Sequence, residues 1–196
     1  ELHKLNPKLL SQIDNNGWTT ATLAATNGHV DTVKAIIECG EDVNVKDRFG
    51  LRAIDHAANN HDTEMVIELL NLGASEITID IGVLSELYKI DPELLEHSNS
   101  HGDTLAVLSV KGGSISLLDL YKTYPSALTK DALDILYKFD SNLFDKKLGD
   151  HFGIVELAVY DGDIKFIETL NSVNRKILES ENIAIMAMYK NQVEIL

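Results

Sequence analysis

The groups in this sequence able to hold a metal or attack a substrate are seven histidines, one cysteine and thirty-one carboxylates. Metal and acid–base chemistry needs them converged, and the spacing does not converge them. His97 and His101 are four apart but fall in a hairpin approach, no histidine pair forms a carboxylate ligand motif, and the His-Glu-x-x-His pattern of helical zinc sites is absent. His29 and His61 fall in matching breaks between apolar stretches, while His97, His101 and His151 sit near turn-rich segments. Cys39 lies among Glu38, Gly40 and Glu41, an acidic setting unsuited to a nucleophilic thiolate, and reads as a packing residue. Gly112-Gly113-Ser114 has the small residues that let backbone N–H groups approach an anion, but no phosphate-loop lysine follows it. Asp119, Asp134 and Asp161 are scattered. The expectation is a protein with no catalytic residue, no metal and no cofactor.

The bulk properties narrow the partners. Over 196 residues, 44% are apolar and 24% charged, enough for a sizeable core. Seventeen basic residues against thirty-one acidic ones give a formal charge of −14, a field that repels nucleic acid and anionic membrane surfaces. No apolar run reaches eighteen residues, so no membrane insertion is expected. The opening Glu-Leu-His-Lys-Leu-Asn-Pro lacks the basic and apolar blocks of a secretion signal. A lone cysteine fits a reducing compartment, and the expected location is intracellular, in the cytoplasm.

The elements that would position any site show themselves as a repeat. From Gly17 the chain reads Gly-Trp-Thr-Thr-Ala-Thr-Leu-Ala-Ala-Thr-Asn-Gly-His-Val, and from Gly50, thirty-three positions on, Gly-Leu-Arg-Ala-Ile-Asp-His-Ala-Ala-Asn-Asn-His-Asp. Each copy holds two short stretches of helical periodicity separated by a polar break, and each ends in a glycine, Gly40 or Gly73. Ala24, Ala25, Ala57 and Ala58 fall in the first helices, where small side chains permit close approach. Ile36, Ile37, Val66, Leu69 and Leu70 lie on the second helices and are expected in the core. Asp14-Asn15-Asn16-Gly17 has the turn chemistry of a hairpin tip, and 42–51 and 98–104 are read as further tips.

This pattern resembles the ankyrin repeat. Residues 14–44 match that family at Asp14, Gly17, Thr19, Ala24, Ala25, Gly28, His29, Gly40, Asp42, Val43 and Asn44; the next copy keeps Asp47, Gly50, Ala57, Ala58, Gly73 and Ala74. The family's Thr-Pro-Leu-His core is replaced by Thr19-Thr20-Ala21-Thr22 and by Arg52-Ala53-Ile54-Asp55, which implies weaker local helix ends. The resemblance implies an all-α solenoid of stacked helix-turn-helix units with short hairpin loops. It also places Asn44 where family members resemble substrates of asparaginyl hydroxylation, although a hydrogen-bonding role in the hairpin accounts for the residue.

A second period follows. Leu84, Leu87, Tyr88, Lys89, Asp91, Leu94, Leu108, Val110, Gly113 and Ile115 recur as Leu133, Leu136, Tyr137, Lys138, Asp140, Leu143, Leu157, Val159, Gly162 and Ile164, always 49 positions on. Each such unit reads as one full repeat plus one truncated helix pair. The chain is thus expected to be a single domain, 1–196: a half repeat 1–13, repeats at about 14–46 and 47–78, a shortened one at 79–97, one at 98–128, a shortened one at 130–147, one at 148–178, and a half repeat 179–196. Both ends read as cut in mid-repeat, because Asn6-Pro7 aligns with Asp91-Pro92 and Ala187 to Val193 with Ala24 to Val30.

Stacked repeats bury a continuous apolar face and leave an extended one for partners. In the family, hairpin tips and first helices line the concave side. The position after the hairpin glycine holds Trp18, Leu51, Asp103 and Phe152, with Phe49 beside it. Outward first-helix positions are assigned to Leu23, Thr26, His56, Asn59, Leu108, Lys111, Leu157 and Tyr160. The predicted partner-binding residues are Trp18, Leu23, Phe49, Leu51, His56, Asn59, Phe152 and Tyr160, because aromatic anchors dominate interface energetics. The alternative for Trp18 and Phe49 is a lid over neighbouring repeats. The function expected is a protein-interaction scaffold, monomeric, with a protein partner and no nucleic acid. The second reading is the targeting arm of a larger protein or of a secreted bacterial effector working in host cytosol, its catalytic domain outside this segment.

Overall fold

The computed structural model describes residues 13–144 and 153–178. Its helices show how the altered core motifs still start a helix. Thr19 caps α1 (Thr20–Thr26): its Oγ1 accepts the Thr22 N–H at 3.1 Å, and Thr22 Oγ1 accepts the Thr19 N–H at 2.8 Å. This reciprocal cap satisfies two of the N–H groups that a helix start leaves unpaired, and such caps are typically worth about 1 kcal/mol. Asp55 plays the same part in α3 (Ala53–Asn59), accepting the Arg52 N–H at 2.7 Å. The weaker ends expected from the loss of proline and histidine are therefore not seen. Threonine and aspartate at the third helical position supply the return hydrogen bond.

The second helices are α2 (Val30–Glu38) and α4 (Thr63–Asn71). α4 buries Met65, Val66, Leu69 and Leu70 at helical spacing, and α2 buries Val33 and Ile36, while Ile37 is only half-buried. α1 packs on α3 through the buried alanines, with Ala25, Ala57 and Ala58 almost fully enclosed. α5 (Ile81–Ile90) follows, capped by Asp80 and then by a 3-10 turn, Pro92–Leu95, and α3 packs against it. α6 (Leu105–Lys111) is buried along all but its last residue.

The break after α1 turns on a left-handed residue, Gly28, and Gly113 and Gly162 are left-handed at later turns of the chain. His61 takes that place between α3 and α4, with φ 58°. It thus corresponds to Gly28, thirty-three positions earlier, rather than to His29 as the sequence alignment of the two breaks had it.

The chain divides into two compact units, residues 1–115 and 116–196. The helices named so far belong to the first. The second contains α7 (Leu117–Thr123), α8 (Lys130–Phe139), α9 (Ile154–Asp161) and α10 (Ile164–Val173). Within it α10 packs on α8 and α9, and the Tyr121 and Phe166 rings lie 4.5 Å apart. The 49-residue period is visible at the level of caps. Asp80 and Thr129 each accept the N–H three residues on, and Thr104 and Gly153 precede α6 and α9. Each shortened pair consists of one α-helix and a 3-10 turn, Pro92–Leu95 or Ser141–Leu143. The fold is all-α; among the described residues the β contribution is an isolated bridge, Ser98 to Thr104, at a hairpin tip.

Candidate functional site

Three hairpin tips in the first unit are built alike, each around one side-chain oxygen. Asp14 Oδ1 accepts the N–H groups of Asn16 and Trp18 at 2.8 and 2.9 Å, and Gly17 N–H donates to the Asp14 carbonyl. Asp47 Oδ1 accepts from Phe49 and Leu51 at 2.8 and 3.0 Å. Asn99 Oδ1 accepts from His101 and Asp103 at 2.9 and 3.0 Å. Hydrogen bonding, first from the Trp18 N–H, holds the Asp14 carboxyl below its ordinary value. A side chain that closes its own loop leaves the residues at the tip turned outward on a fixed backbone.

The first two tips are joined. Arg48 N–H donates to the Gly17 carbonyl at 2.9 Å, and the Arg48 side chain runs directly over Gly17. A Cβ at Gly17 would collide with the Arg48 stem, and Gly17 holds φ +93°, so any other residue there would displace the arginine and strain the backbone. The guanidinium then sits 4.9 Å above the Phe49 ring, whose centroid is 6.0 Å from that of Trp18, edge to face. Trp18 in turn lies 4.6 Å from the His56 ring.

This chain of contacts corrects several expectations. Phe49 is 56% exposed and Leu23 47%, both as predicted, and Asn59 and Tyr160 are exposed as well. Trp18 and Leu51 are half-buried, so Trp18 is partly a lid and partly open to solvent. His56 is buried, because its Nε2 hydrogen-bonds Asp47 Oδ2 at 2.8 Å while its ring backs Trp18. It supports the surface and does not form it. Leu108, at the position equivalent to Leu23, is fully buried. Asp103 is buried as well, paired at 2.7 Å with Lys111 Nζ. Thr26, Lys111 and Leu157 are half-buried. Phe152 and His151, and the half repeats 1–13 and 179–196 except Ile13, lie outside the described residues. Tyr160 belongs to the second unit and is described there alone.

The sequence reading missed Arg48 altogether. Its signal is an arginine beside the tip glycine of one repeat, with a bare glycine thirty-one positions earlier, and only the fold brings Gly17 and Arg48 together. Two further buried groups lie beneath the tips. Arg52, 3% exposed, pairs with Asp55 and Glu76, and Asp55 Oδ1 accepts the Thr78 N–H at 2.5 Å. Burial pushes the Asp55 carboxyl up despite these partners. Glu41, 2% exposed, stands where the second repeat has Ala74; its Oε1 accepts the Ala21 N–H at 3.4 Å, and among the described residues its Oε2 has no hydrogen-bond partner. Burial raises the Glu41 carboxyl too. Asn44 Oδ1 accepts the Ser75 N–H at 2.9 Å, so this asparagine ties one hairpin to the next. Among the described residues no group of three histidines, cysteines or carboxylates is arranged to hold a metal ion, and no helix is long and apolar enough to cross a membrane.

Paired short helices, glycine breaks and side-chain-closed tips define a protein of the helical-repeat class. Over residues 2–81 the chain matches the family model for ankyrin repeats, in three copies. An ankyrin repeat protein of Acanthamoeba polyphaga mimivirus is 27% identical over 117 residues. That stretch covers 60% of this chain but 13% of the relative, so the chain spans a small part of the length of the protein it resembles. Ankyrin repeats are in general protein-interaction modules, and the family is typically non-catalytic.

Proposed function

We propose that this chain is a protein-interaction module that presents the hairpin face of its first unit to a partner protein, with Phe49, Leu23 and the open part of Trp18 as anchors. The observation that carries the reading is exposure maintained by construction. Phe49 and Leu23 stand about half open to solvent while the polar groups that fix their backbone, Thr19, Asp47 and His56, are buried. An aromatic ring held outward on a stiff tip costs little conformational entropy on binding and is the common form of an interface anchor. Leu51 and Asn59 flank it; Tyr160 would serve a separate contact on the second unit. The module works as a monomer on a protein partner rather than on nucleic acid, and in the cytoplasm.

A second reading has one observation in its favour. The relative's matched stretch is 13% of its length, which suits a targeting arm within a larger polypeptide, such as an effector, whose activity resides elsewhere. Both readings use the same surface. The test is affinity capture with the full chain beside a Leu23→Ala, Phe49→Ala double variant, two exposed positions whose truncation leaves the core intact. Loss of one specific protein from the variant's capture supports the reading. Equal capture by both removes this face from it.

A further inference from the structure

The tip arginine has a feature that the aromatic patch alone does not explain. In a chain with thirty-one acids and seventeen bases, a surface arginine should find a carboxylate. Among the described residues Arg48 has none. The two acids of the neighbouring tips are already committed, Asp14 to the N–H groups of Asn16 and Trp18, and Asp47 to Phe49, Leu51 and His56. Arg48 is nonetheless not a loose side chain. Its backbone is bonded to Gly17, its stem lies against the Gly17 Cα, and its guanidinium rests over the Phe49 ring. A guanidinium stacked on an aromatic face keeps its in-plane donors open to a planar acceptor, and a carboxylate matches that fork in bidentate fashion.

Resting on the interaction-module reading, we infer that the first two hairpin tips take a partner segment carrying an aspartate or glutamate close to a bulky apolar side chain: the carboxylate pairs with Arg48, and the apolar group packs on Phe49 and Trp18. The choice of an acidic segment follows from charge complementarity at the tip, where the Arg48 guanidinium stands without an ion-pair partner among the described residues while the carboxylates of the two tips are engaged by their own N–H groups, and it runs against the negative charge of the chain as a whole. The specificity is therefore local. It belongs to Arg48 and would not be guessed from the net charge.

The experiment is selection of peptides from a random display library on the immobilised full chain, in parallel with Arg48→Gln, Arg48→Glu and Phe49→Ala. Trp18 is the sole tryptophan, so its fluorescence then reports binding of each synthesised peptide at the site. The expected result is enrichment of Asp or Glu within two residues of Phe, Trp, Leu or Ile, with affinity falling about tenfold in Arg48→Gln and further in Arg48→Glu. On Arg48→Glu the selected charge should switch to Lys or Arg with the apolar residue kept. Arg48 is exposed, and unchanged urea midpoints in both variants would confirm that they fold. Selection of basic or uncharged peptides that still require Phe49 would overturn this inference and leave the interaction surface standing. Peptides indifferent to Phe49, or no enrichment at all, would overturn both.

Discussion

Asp47 and His56 form a buried pair at 2.8 Å that joins a hairpin tip to the first helix of its own repeat. The pair fixes two things at once: the tip, through the N–H groups that the other carboxylate oxygen accepts, and the ring on which Trp18 rests.

Asp47→Ala should therefore cost about 2–3 kcal/mol, since three hydrogen bonds to one buried carboxylate are lost and the His56 nitrogen is left without its acceptor. Urea unfolding measures this, and the Trp18 emission should shift to the red as its support loosens. A loss within experimental error would show that the tip closes without the carboxylate.

Gly17→Ala meets two penalties, a left-handed backbone and the Arg48 stem. A destabilisation of about 2 kcal/mol is expected, of which Arg48→Ala in the same chain restores the steric part and leaves roughly 1 kcal/mol for the backbone. The double-mutant cycle reads this coupling directly. Strict additivity would mean that the arginine does not lie over the glycine.

His61 occupies a position that the other helix breaks give to glycine. His61→Gly should raise stability by about 0.5–1 kcal/mol, the relief of a left-handed side chain less the added entropy of glycine in the unfolded chain. A lower urea midpoint for the variant would contradict the assignment.

Glu41 carries a pH signature. Burial raises its carboxyl above the ordinary 4.5 in the folded chain, so the native state binds its proton more tightly than the unfolded one. The stability this gives is fully present below pH 4.5 and is lost as pH rises through the folded value. The stability of Glu41→Gln minus that of the wild type should therefore grow with pH across that window and then level off. Parallel pH profiles for the two proteins would contradict it.

How much of this was legible in the sequence depends on whether a residue's role is local. Gly17, Gly50, Gly40 and Gly73 announce the repeat because turn geometry is dictated within a few residues, and the buried alanines follow from the same register. Leu23, His56 and Leu108 share one register position but are exposed, buried and buried, since what covers each is set by neighbouring repeats and by a partner such as Asp47. Arg48 lay hidden for the same reason, its place being fixed by a missing Cβ in another repeat. Threonine and aspartate replacing the histidine of the family's core kept their capping role, a substitution that chemistry explains and a motif match does not.

The most direct test of the central claim is site-specific photo-crosslinking. A benzophenone amino acid is placed at Phe49 in one preparation and at Glu64, exposed on a second helix, in another, and each is illuminated with the captured partner. Crosslinks from position 49 and none from position 64 are the predicted result. Crosslinks from position 64 alone would contradict the account and move the binding surface to the opposite helices.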